Sequence, residues 1–139
     1  MLKVIIDTSV FVAAFGSKTN SSPVKIIDAW LEGQFALVMS PQLLEELVAK
    51  LAQRGVSEQT LTILVTKITE IALHIPGYYQ ATRLDDIDPD DNKFLGAAYE
   101  AKADYLVSVD NHLLSLKYYH GTQILTPILF LRVLPSNRN

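Results

Sequence analysis

Cysteine is missing from the 139-residue sequence, which excludes disulfide scaffolds, cysteine-ligated zinc sites and thiol nucleophiles. No apolar stretch approaches the roughly 18 to 20 residues that a bilayer span needs. The first residues carry one lysine and run straight into Val4-Ile5-Ile6-Asp7, unlike a secretory leader, so a cytoplasmic location with no membrane partner is expected. Apolar residues make up 49% and charged residues only 19%, enough burial to offset the entropy of ordering, which excludes disorder. Internal repeats and low-complexity segments are absent too. A chain of this length buries roughly two-thirds of its unfolded surface without a covalent staple. One globular domain over residues 1–139 is therefore expected, with a loose tail at 135–139. Positive charge is not in excess either: 12 Lys and Arg stand against 15 Asp and Glu, net −3, which argues against nucleic-acid binding by bulk attraction. The acidity is local. Asp85, Asp86, Asp88, Asp90 and Asp91 crowd into one short stretch, a grouping that can hold a cation.

Four prolines directly follow a good capping residue: Ser22-Pro23, Ser40-Pro41, Asp88-Pro89 and Thr126-Pro127. Each pair reads as N-cap followed by N1, where proline lacks only an N–H that the helix would leave unpaired. After Pro41, Leu43, Leu44, Leu47, Val48 and Leu51 keep helical spacing up to Arg54-Gly55; after Ser57, Leu61, Leu64, Val65, Ile68, Ile71 and Ala72 do the same, predicting a helical hairpin. Leu2–Ile6, Phe35–Met39, Tyr105–Val109 and Gln123–Leu125 are short apolar runs without polar alternation, as expected of strands covered on both faces. Ala72–Ile75 is a weaker fifth candidate. Strands alternating with helices predict an α/β fold with a central parallel sheet of four to five strands.

Two of these strands end on an aspartate, Asp7 and Asp110. In an open parallel sheet, ligands sit beyond the carboxyl ends of the strands, so neighbouring strands would aim both side chains into one crevice. Helix capping is the competing role for each. A third carboxylate bears on the choice: Asp91 precedes Phe94, Leu95 and Ala98 at helical spacing, so it lies on the inward side of its helix. Glu45 and Glu46 flank opposite edges of the leucine stripe of the Pro41 helix, and periodicity does not choose between them. Glu46 also has Lys50 four residues on, the spacing of an ordinary surface pair. Carboxylates gathered within a few ångströms repel unless a cation compensates, and an oxygen-seeking divalent ion, Mg²⁺ or Mn²⁺, is the natural partner. Such an ion eases deprotonation of water and neutralises charge on a phosphoryl oxygen, which points to phosphodiester hydrolysis.

The ordered motifs Val4-Ile5-Ile6-Asp7-Thr8-Ser9, Ser40-Pro41-Gln42-Leu43-Leu44-Glu45-Glu46, Asp88-Pro89-Asp90-Asp91-Asn92-Lys93-Phe94-Leu95 and Ala103 to Asp110 resemble the PIN domain, most closely the single-domain PIN toxins of toxin–antitoxin pairs. The resemblance implies a three-layer α/β/α fold and Mg²⁺- or Mn²⁺-dependent cleavage of RNA. It also implies inhibition by a small antitoxin and a homodimer. It places the catalytic, metal-binding carboxylates on Asp7, Glu46, Asp91 and Asp110, and so selects Glu46 over Glu45. Ser108 stands where the family commonly has threonine, and its hydroxyl can still bond a carboxylate. Thr8, Ser9 and Asn111 are supporting candidates, as cleft donors or as helix caps.

His112 is a possible base beside Asp110, or a surface residue; His74 and His120 read as structural. Lys18, Lys25, Lys93 and Arg83 are candidate phosphate contacts against a background of scattered surface charge. Tyr78-Tyr79 and Tyr118-Tyr119 suit base stacking, core or a dimer contact. Three other classes compete with the nuclease. A signalling receiver domain needs a lysine ending a late strand, and Leu125-Thr126-Pro127 has none. A haloacid dehalogenase-like phosphatase needs Asp-x-Asp where this chain has Asp7-Thr8-Ser9. A non-catalytic PIN-fold interaction module would leave the four acidic positions free to vary, and all four are acidic.

Overall fold

The computed structural model describes residues 1–17 and 19–135. Lys18, one of the candidate phosphate contacts, and residues 136–139 of the expected tail lie outside the described residues. Six strands form one sheet in the order β3-β2-β1-β4-β6-β5: β1 Lys3–Ile6, β2 Ala36–Met39, β3 Leu73–His74, β4 Tyr105–Val107, β5 Tyr118–Tyr119 and β6 Thr122–Leu125. All neighbouring pairs are parallel except β5 with β6. The helices are α1 Thr8–Phe15, α2 Ser22–Leu31, α3 Pro41–Gln53, α4 Glu58–Ile71, α5 Asn92–Ala101, α6 Asn111–Leu114 and α7 Pro127–Val133. They flank the sheet to give the α/β/α layering. Among the described residues no helix is long and apolar enough to cross a membrane.

The expected sheet of four to five strands is corrected to six. The added strand, β5, makes a tight hairpin with β6 through His120 at φ 49° and Gly121 at φ 87°. Two consecutive positive-φ residues are what a primed hairpin turn requires. Capping expectations hold at Ser40 and Thr126, whose hydroxyls accept the N–H of Leu43 and Leu129, and Ser57 caps α4 in the same way through the N–H of Thr60. At the second helix the cap is Ser21 rather than Ser22, which shifts Pro23 one position inward; the N–H groups of the whole first turn lack intrahelical acceptors, so proline is tolerated there. Asp88-Pro89 differs more. Pro89–Asp91 forms a 3₁₀ turn before α5, and the Asp88 side chain makes no capping bond.

The strand order carries the functional geometry. From β1 the chain crosses to β2 and β3 on one side and then returns to pair β4 on the other, so the sheet reverses direction between β1 and β4. Val4, Ile5 and Ile6 lie beside Tyr105, Leu106 and Val107, and the buried strand residues hold this register. Crevices at such reversal points, beyond the carboxyl ends of the strands, are where open α/β sheets bind ligands. The residue that follows β1 is Asp7.

Helix α5 is seated on the sheet by Phe94, Leu95 and Ala98, all buried. A Cβ on Gly96 would come within 2.6 Å of the Tyr79 carbonyl oxygen, so only glycine lets the 77–81 segment lie against this helix. At its start, buried Asn92 accepts the Leu84 N–H at 2.9 Å and donates to Asp85 Oδ1 at 2.7 Å. These bonds hold the loop that delivers Asp88.

Candidate active site

Asp7 and Asp110 perform both roles that their positions allow. As caps, Asp7 Oδ1 accepts the Ser9 N–H at 3.3 Å and Asp110 Oδ1 accepts the His112 N–H at 2.8 Å. Both also line a single cleft of about 450 Å³ at the β1/β4 reversal point, together with Glu46 and Asp91. The four carboxylates singled out in the sequence are thus brought to one place. Asp7 is fixed from the neighbouring strand end: Ser108, wholly buried, donates to Asp7 Oδ2 at 2.6 Å and accepts the Asp110 N–H at 2.9 Å. Ser9 adds a second donor to Asp7 Oδ2 at 3.0 Å. Burial pushes the Asp7 carboxyl up; bonds from Ser108 and Ser9 pull it back, and the charge of Asp110 adds to the rise.

Asp91 is the least satisfied of the set. It is only 9% exposed, and its Oδ2 is buried without a hydrogen-bond partner. Trp30 Nε1 is the other such atom among the described residues. Burial first, then a hydrogen bond and charge from Asp110, then the charges of Asp7 and Asp88 push Asp91 up to about 8. A carboxylate so placed either keeps its proton, to donate to Asp110, or faces a cation. Donor atoms of Asp88, Asp91, Asp110 and His112 all lie within 4.8 Å of one another. The acidic group, with one buried oxygen unmet, fits a divalent metal ion.

Glu46 and Glu45 part company in the structure. Glu45 is exposed, whereas Glu46 faces the cleft with both oxygens engaged: Thr8 Oγ1 donates to one and Lys93 Nζ to the other, each at 2.6 Å. The Lys50 pairing suggested by helical spacing gives way to this longer-range ion pair. Lys50 instead lines the cleft one turn from Arg54. Sequence reasoning passed over Arg54 because it reads as the end of a helix, and assigned Asp88 to capping because proline follows it. Asp90, also in the cleft, sits further round from the centre of the apolar stripe on the same helical spacing.

Other candidates lie elsewhere. Asn111 is exposed and does not line the cleft. Lys25 lies near Asp28 and Arg132, and Arg83 is exposed outside the cleft. His74 bonds the carbonyls of Ile68 and Thr69, a structural role. His120 joins Tyr78, Tyr79 and Tyr99 at the far end of α5, with Tyr119 packed against its ring; Tyr118 is exposed on the edge strand. His112 does belong to the site: Nδ1 lies 3.7 Å from Asp88 Oδ2 and 3.6 Å from Asp110 Oδ1.

Comparison with known proteins agrees with this geometry. An uncharacterized protein of Methanocaldococcus jannaschii is 33% identical over 123 residues, covering 84% of this chain and 76% of its own length. The PIN domain profile matches residues 3–112, a span that opens on β1 and closes on His112. With that match over most of its length, and with acidic side chains gathered where its sheet reverses, the chain belongs to the PIN domain family, whose members are generally nucleases.

Proposed function

We propose that this protein is a divalent-metal-dependent endoribonuclease, using Mg²⁺ or Mn²⁺, and the toxin of a toxin–antitoxin pair. Family membership supports the nuclease chemistry, and the observation that carries the metal requirement is the buried, unpartnered Oδ2 of Asp91 beside Asp110. A small antitoxin partner, a homodimer and an RNA substrate belong to the same reading, supported by the resemblance to single-domain PIN toxins.

Asp91, Asp110 and Asp7 would hold the ion, with Glu46 as ligand or water orienter. When bound, a divalent ion makes water easier to deprotonate and offsets charge on a phosphoryl oxygen. The chain's own residues arrange the rest. Ser108 fixes Asp7 against the end of β4, and Thr8 with Lys93 fixes Glu46. Lys50 and Arg54 line the cleft as the cations nearest to hand for flanking phosphates. No side chain is asked to act as a covalent nucleophile.

The test is cleavage of defined tRNA and rRNA fragments with Mg²⁺ or Mn²⁺, against a chelator control and the Asp7→Asn variant. Metal-dependent products that disappear in the variant are expected. Undiminished cleavage by Asp7→Asn would remove Asp7 from the mechanism. Failure to bind Mn²⁺ at millimolar concentration would favour a non-catalytic interaction module.

A further inference from the structure

Among the described residues, the tightest group of donor atoms is not the quartet that the motifs single out. It comprises Asp88, Asp91, Asp110 and His112, with ligand atoms within 4.8 Å of one another. Asp7 and Glu46, by contrast, are committed to protein donors: Asp7 to Ser108 and Ser9, Glu46 to Thr8 and Lys93. Asp88 is not spent on the helix it precedes, since its side chain makes no capping bond. The His112 imidazole is not spent either. Its Nδ1 stands 3.6 to 3.7 Å from the two carboxylates that flank it, beyond a good hydrogen bond, while its backbone N–H anchors α6 on Asp110. Ligands about 2.1 Å from one ion stand at most about 4.2 Å apart, so this group needs to close by only some tenths of an ångström. The second observation pointing to a ligand is again Asp91, a nine-tenths buried member of this cluster whose Oδ2 has no hydrogen-bond partner.

We infer that Asp88 and His112 complete the metal group with Asp91 and Asp110, and that the imidazole nitrogen makes the site prefer Mn²⁺ over Mg²⁺. The inference rests on the metal-dependent reading above; within it, Asp88 and His112 take the ligand places, Asp7 and Glu46 position the cleft around the ion, and a selectivity is added. Mg²⁺ takes oxygen donors almost alone and gives up water reluctantly. Imidazole suits first-row transition ions, and a donor set of three carboxylates with one nitrogen suits Mn²⁺ within that series.

Pulsed electron paramagnetic resonance of the Mn²⁺-loaded protein tests this without any activity readout. Wild type should show ¹⁴N modulation from a coordinated imidazole. His112→Gln should lose it while His74 and His120 remain, with Mn²⁺ affinity falling about tenfold and Mg²⁺ affinity changing by less than about twofold. Asp88→Asn should weaken Mn²⁺ and keep the modulation. Melting curves check that both variants remain folded; the His112 side chain is half exposed, so its replacement leaves the core untouched. Mn²⁺ bound to wild type without imidazole modulation, or bound equally well by His112→Gln, overturns the inference and leaves the metal-dependent reading standing. Absence of Mn²⁺ binding by wild type overturns both.

Discussion

The two ends of α5 each hold an acidic side chain, and the two could hardly be treated more differently. At the start, Asp91 is buried beside other carboxylates, pushed up to about 8, with one oxygen unmet. Near the end, Glu100 accepts the N–H groups of Gly77 at 3.1 Å and Tyr79 at 2.9 Å, and these bonds hold its carboxyl below the usual range. Around it the surface is aromatic and electrically quiet. Tyr79 and Tyr99 pack with ring centroids 4.3 Å apart, and burial followed by the Tyr79 hydroxyl pushes Tyr119 up to about 12. One helix thus separates a carboxylate whose bonding is complete from one whose bonding is not. Unmet valence, rather than acidity, distinguishes the end to which the proposed chemistry is assigned.

The strongest way to break this contrast is Asp91→Asn. Under the proposed mechanism, losing one of the charges that hold the ion should cost on the order of a thousandfold in RNA cleavage, read from initial rates. The same variant should melt higher than wild type in chelator, because an amide beside Asp110 relieves the repulsion. Ser108→Ala comes next. It removes a buried 2.6 Å donor from Asp7 and the acceptor of the Asp110 N–H, and should cost about 1 to 3 kcal/mol in denaturant unfolding.

A pH series sharpens the comparison. In ion-free protein the folded state retains the Asp91 proton up to about 8, while the unfolded chain releases it near 3.8. The contribution of Asp91 is therefore fully present below the unfolded value and is lost as pH rises through the folded one. Asp7, also raised, has the same sign. Glu100 runs oppositely: its contribution is present above its ordinary value and lost in acid. The melting-temperature gap between Asp91→Asn and wild type should widen with rising pH in chelator and close with saturating Mn²⁺. Smallest is Glu100→Gln, which exchanges two charge-assisted bonds at the surface for neutral ones. It should cost less than about 1 kcal/mol and leave cleavage within about twofold of wild type.

Most of the site that this comparison rests on was legible in the chain. Asp7 and Asp110 follow short runs that only a covered parallel strand explains, and Asp91 sits on the apolar stripe of its own helix. Glu46 was legible only by resemblance, because its partners Thr8 and Lys93 lie on other elements that no helical wheel contains. Asp88 and His112 were obscured for a related reason. Each carries a local signal, a cap before proline and a residue in a short exposed helix, and only the packing of α5 against β4 brings them to the same ion-sized space. The β5 hairpin did have a local signal in His120-Gly121, hidden because histidine rather than asparagine takes the first positive-φ position.

The bond from Ser108 to Asp7 joins residues 101 apart in sequence. Neither that bond nor the pocket can exist until β4 has been made and laid beside β1. A nascent chain that has only just emerged past α5 holds Asp7, Glu46 and Asp91 but lacks Asp110 and the serine that aligns the first aspartate. On the proposed reading, a ribosome translating this message is therefore not exposed to an active ribonuclease until the polypeptide has been made past residue 110.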